Sequence, residues 1–96
     1  MMSAFICIIN IELRVPLSQS LKDKRKQIKS LKDKIQNRFN ASVAEIDYLD
    51  EWQRSVIGVS MISNDRVFLE KQYRAIETLL LEYHDVEVIR LNIEWL

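Results

Sequence analysis

From Phe5 to Val15 the odd positions are Phe5, Cys7, Ile9, Ile11, Leu13 and Val15, while the later even ones are Asn10, Glu12 and Arg14. A period of two with one apolar side marks a strand that buries one face. Pro16 ends the ladder because it has no N–H to donate, and Ser20 with Asp23 three residues on supplies a helix N-cap and an acidic first turn. The period then changes: Leu21, Ile28, Leu31, Ile35 and Phe39 fall within about an 80° sector at about 100° per residue. This predicts a helix over residues 20–39, about 30 Å long.

Beyond it Ala44, Ile46 and Tyr48 alternate with Glu45 and Asp47, residues 49–52 form a turn, and Ile57, Val59 and Met61 alternate with Val56, Gly58 and Ser60. Two such runs joined by a short turn read as a hairpin. Ser63, Asn64 and Asp65 are all good N-cap residues, and Phe68, Ala75, Ile76, Leu79 and Tyr83 recur at helical spacing. Ile89, Leu91, Ile93 and Trp95 alternate with Val88, Arg90, Asn92 and Glu94 in a last strand. The order βαββαβ, with two crossover helices and one hairpin, predicts an α+β ferredoxin-like sandwich. Its four-stranded antiparallel sheet is ordered 4-1-3-2 with both helices on one face.

The 96 residues, 48% of them hydrophobic, are enough for one core without metal or disulfide, and a single glycine and a single proline leave no room for a linker. One domain over residues 1–96 is expected. A lone cysteine, Cys7, and an N-terminus without a basic segment or cleavage site point to the cytoplasm. The longest apolar stretch, Ala4 to Ile9, is far short of the roughly 20 residues that cross a bilayer, so no membrane association is expected.

Net charge is zero, yet residues 21–38 carry eight cations against two carboxylates, leaving that segment at +6 and the remainder at −6. The word SLKDK occurs twice there, at Ser20 to Lys24 and Ser30 to Lys34. Ten residues turn a helix far enough to set the two copies about 80° apart, so they do not form one site. The cations that share a flank are Lys22, Arg25, Lys26, Lys29 and Lys32, beside the apolar stripe. Such a row fits a polyanion, and phosphate backbones in particular. The alternative is a solvated face partly neutralised by Asp47, Asp50 and Glu51 of the hairpin turn, with Lys29 and Lys32 beyond their reach. Lys24 falls inside the apolar sector and must either snorkel past the helix end or meet a carboxylate such as Asp47, a structural role in both cases.

The sheet face away from the helices has no aromatic residue on its first and third strands, which disfavours the base stacking of RNA-recognition motifs. It does carry Ile6, Ile8, Val56, Ile62 and Val88, more apolar than water favours, and a second copy is the simplest cover. Gly58 reads as a bulge or close approach. His84 has no second ligand at metal spacing, Cys7 lies on a core face, and one glycine cannot make a phosphate-binding loop. The loop Pro16 to Gln19 lacks the arginine that acylphosphatases of this fold place there. Glu45, Asp47, Asp50 and Glu51 read as a solvated hairpin rather than a magnesium site. No catalytic residue, metal or cofactor is assigned, and Trp52 reads as a packing anchor that would become a stacking platform beside the basic row if exposed.

The motifs SLKDKRKQIKSL, NRFNASVAE, DEWQRSVIGVS and SND, in that order along the chain, resemble the YlxP-like family of small bacterial proteins, a domain of unknown function. The resemblance implies a ferredoxin-like fold and a gene neighbourhood with translation initiation factor two and ribosome-binding factor A. Ribosomal RNA or a ribosome-assembly factor is thereby the expected partner. The matching positions are Lys22, Lys24, Arg25, Asn37 to Asn40 and Trp52 to Arg54. Relatives usually place a glycine and a basic residue in the turn after the strand proline, where this chain has Leu17 and Gln19. The expectation from residues and resemblance together is a non-enzymatic RNA- or ribosome-associated protein. The alternative is a homodimeric interaction module that uses the open sheet face and has no nucleic-acid role.

Overall fold

The computed structural model describes residues 3–96. Strand β1 runs Phe5–Arg14, helix α1 Leu21–Phe39, β2 Ser42–Asp47, β3 Arg54–Ser63, helix α2 Arg66–Glu82 and β4 Glu87–Trp95. The strands form one antiparallel sheet in the order β2-β3-β1-β4, as the chain order requires for this sandwich. Helix α1 packs on β2, and α2 on β3, β1 and β4.

The core lies between helices and sheet. Cys7, Ile9, Ile11 and Leu13 of β1, Ile57, Val59 and Met61 of β3, and Ile28, Leu31, Ile35 and Phe39 of α1 are buried. Ser20 caps α1 by accepting the Asp23 N–H at 3.0 Å, and Asp23 in return accepts the Gln19 N–H at 3.1 Å. The first bond satisfies a donor that the helix start leaves open, and the second fixes the chain that enters it. At the other end Asn40 takes the left-handed conformation, φ 50°, which asparagine adopts more readily than most residues. Asp65 caps α2 by accepting the N–H groups of Val67 and Phe68.

Three local expectations change. In α2 the buried positions are Leu69, Ile76, Leu79 and Leu80, and Phe68 and Ala75 are exposed, because the helix turns its leucine side to the sheet. In β2 the half-buried Val43 and Glu45 turn toward the helices, while Ala44 and Ile46 are exposed on the open face. In β4 the pairing shifts between Glu12↔Arg90 and Leu13↔Val88. Directly paired residues share a face, so Val88 stands on the same side as the buried Leu13. It does not belong to the open face, where the simple alternation had put it. The extra residue of the bulge, Ile89, absorbs the shift.

Burial raises the Cys7 thiol above its ordinary value, outweighing a backbone hydrogen bond at Met61 that pulls the other way. The native protein should therefore fail to react with a thiol-specific disulfide reagent at pH 8, with one thiol appearing on denaturation. Prompt reaction of the folded chain would show that β1 opens locally.

Candidate nucleic-acid interface

The first turns of α1 hold the least expected side chain of the core. Lys24 is fully buried, and its Nζ lies 3.0 Å from Glu45 Oε2. It also donates to the carbonyls of Tyr48 at 2.7 Å, Leu49 at 3.2 Å and Arg54 at 3.3 Å. Ser55 Oγ donates to the same Glu45 oxygen at 2.6 Å. The expected partner, Asp47, is not the one used: Asp47 is exposed, and its carboxylate accepts the Tyr48 N–H at 2.7 Å. Glu45 wins because its face of β2 looks toward α1. An ammonium without charge and hydrogen-bond partners would not be tolerated at this depth.

The network shapes the β2-β3 loop. Tyr48 sits at φ 59°, a strained position for a bulky residue. The turn aims its carbonyl at both Lys24 Nζ and the Glu51 N–H, the latter at 3.0 Å. The Arg54 guanidinium stacks 4.1 Å from the Tyr48 ring and reaches Glu12 at 2.6 Å. Gln53 ties the loop to the β1-α1 connection by donating to the carbonyls of Pro16 at 3.3 Å and Ser18 at 2.9 Å. Trp52, expected as a packing anchor, is 54% exposed on this loop.

Around this anchor the cationic row takes its place. Lys22, Arg25, Lys26 and Lys29 are exposed and Lys32 is half-buried. Among the described residues Lys29 is the member of the row with an ion-pair partner, Asp33 at 2.9 Å one turn on. Lys29 is therefore not the free cation that the sequence implied. An exposed pair of this kind contributes only about 0.3–0.5 kcal/mol and yields easily to a phosphate. Lys26 shares a cavity of about 150 Å³ with Asp23 and Asp85, which tempers the charge at the row's first end. Apart from the buried Lys24, the remaining helix cations lie on the opposite flank. Lys34 stands 4.8 Å over the Tyr83 ring, and with Asn37 and Arg38 it lines an open groove of about 540 Å³ against α2.

Fold and row together define an α+β ferredoxin-like protein with a cationic outer helix. No described helix is long and apolar enough to cross a membrane. The chain belongs to the family described as "Protein of unknown function (DUF503)", which matches residues 6–93. It is 36% identical over 76 residues to the uncharacterized protein YlxP of Bacillus subtilis (strain 168), spanning 79% of this chain and 83% of that one. The fold is shared with the de novo designed protein Foldit4, at TM-score 0.56 and 16% identity over 93% of this chain and 96% of that one. It is also shared with the structural-genomics protein YJCS, at TM-score 0.53 and 11% identity over the same shares.

Lys24→Met should destabilise the protein by about 3–5 kcal/mol in denaturant unfolding, since it leaves Glu45 without its counter-charge at a half-buried site. Adding Glu45→Gln to that variant should recover part of the loss. Two single losses that simply add would mean that the two groups act independently.

Proposed function

We propose that this is a non-enzymatic, cytoplasmic protein that binds the phosphate backbone of RNA, in or near the ribosome, through the outer face of α1. One observation carries the reading. Five cations share one side of a rigid helix, and among the described residues four of them have no carboxylate within ion-pair distance. Solubility of a helix does not need that density of one sign, whereas phosphate contacts do. The Lys24 network supports the reading by fixing the helix start, so that the row meets a backbone without first being ordered. The gene neighbourhood implied by the family resemblance points to ribosomal RNA as the polyanion. The open sheet face presents no aromatic stacking platform on β1 or β3, which favours backbone contact over base readout.

If about five phosphates are neutralised, log K for a single-stranded RNA oligomer should fall with log salt at a slope near −3.5. Lys22→Glu with Lys26→Glu should weaken binding by at least about tenfold and flatten the slope toward about −2, because about three phosphate contacts remain. Both side chains are exposed, so the thermal midpoint should stay within a few degrees of the wild type. Fluorescence anisotropy across a salt series measures affinity and slope together. Binding that keeps its slope in the double variant would remove the row from the interface, and salt-insensitive binding by the wild type would remove backbone recognition.

A further inference from the structure

The sheet has two edges, β2 and β4, and they are not alike. β2 is short, and its pairing shifts between Glu45 and Asp47, so little of its outer side is regular. Short strands and bulges are how an edge is kept from pairing with another chain. β4 lacks these protections beyond the bulge at Ile89. From Arg90 to Trp95 its pairing with β1 is unbroken, with no proline and no lysine in the strand.

The phase of that ladder decides which main-chain groups face outward. The Leu96 N–H donates to the Ile6 carbonyl at 2.9 Å, continuing the register in which Cys7 pairs with Trp95. Bonded and non-bonded pairs alternate along an antiparallel ladder. Arg90, Asn92 and Glu94 therefore turn their N–H and C=O toward β1, and Leu91 and Ile93 turn theirs away from it. The Leu91 carbonyl accepts the Tyr73 hydroxyl at 3.5 Å, a long bond that leaves its second lone pair free.

We propose that this edge pairs antiparallel with the same edge of a second copy, about a two-fold axis perpendicular to the sheet at Asn92. Charge selects both the occupant and the register. Among the described residues neither Arg90 nor Glu94 has an ion-pair partner. Both are exposed on the open-face side of β4, where Glu94 accepts from Asn10 at 3.2 Å. An axis at Arg90 or at Glu94 would oppose like charges. At Leu91 or Ile93 it would set one charge against an asparagine and the other beyond the ladder. At Asn92 it places Arg90 directly opposite the partner's Glu94, and Glu94 opposite the partner's Arg90. Leu91 then exchanges both main-chain bonds with the partner's Ile93, and the Asn92 carboxamide, which donates and accepts at once, meets its own mate.

The helix side agrees. Leu91 and Ile93 are half-buried against the core, and the added strand covers what they still expose. A foreign strand would need an acid and a cation at this same spacing, whereas a second copy supplies both by symmetry. Strand addition gains its affinity from main-chain bonds rather than from broad area. The bulge ends the ladder on either side, so the dimer is concentration-dependent. Helix α1 packs on β2, at the far edge, so its cationic row stays exposed and this inference does not rest on RNA binding.

Analytical ultracentrifugation without nucleic acid tests it. The wild type should pass from monomer toward dimer between about 5 and 500 μM. Arg90→Glu and Glu94→Arg should each weaken the dimer at least about tenfold, because each reversal sets like charges opposite each other on both sides of the axis. The two reversals combined should restore dimerisation to within a few-fold of the wild type. Circular dichroism reports whether each variant keeps the fold. A wild type that stays monomeric across the range overturns the proposal. A dimer unmoved by either single reversal overturns the assigned edge, and no recovery in the double variant overturns the axis at Asn92.

Discussion

The contact on which the rest depends is the buried ammonium of Lys24. One Nζ meets Glu45 and three backbone carbonyls, so a single side chain ties α1 to β2, to the β2-β3 loop and to the start of β3. An ion this deep is left without counter-charge if Glu45 leaves. Its consequences spread outward. Glu45 must face the helix, so Ala44 and Ile46 face the open side. Tyr48 must turn its carbonyl inward, and it accepts a left-handed backbone that costs about 1–3 kcal/mol to hold.

These constraints tie the two faces of the molecule together. The row on α1 is presented to solvent by a helix whose first turns are pinned from below by Lys24. A shallow hollow of about 400 Å³ on the opposite side of the sheet is bordered by Ala44 and Ile46, the β2 residues that the same network turned outward. A basic outer helix and a shallow hollow on the open sheet face are thus separate surfaces with one structural cause. The bulge in β4 acts in the opposite sense, withdrawing Val88 from the open face to the core side of Leu13.

The architecture was legible because its signals are local and strong. Periods of two and of about 3.6, a serine cap with its aspartate and an aspartate at the second cap are each written in a few neighbouring residues. Lys24 was also visible as an anomaly, a cation inside an apolar stripe, since helical angle depends on position alone. Its partner was not visible. Glu45 and Asp47 are two residues apart on one strand and share a face in a regular ladder, and only the register shift beside β3 separates their roles. The pairing of Lys29 with Asp33 could have been read from their i, i+4 spacing.

The sequence by itself determined the element order, the sheet topology, the core faces of β1, β3 and α1, and the concentration of positive charge on one helix. Each of these follows from spacing along the chain. Tertiary structure decided which carboxylate meets Lys24, which side β2 turns to the core, that Trp52 stands in solvent, and where the open face is hollow. Those depend on bulges and on a buried charge. A bulge displaces a strand by one residue and reverses its faces, and a buried charge recruits whichever acceptors the packed fold brings within reach.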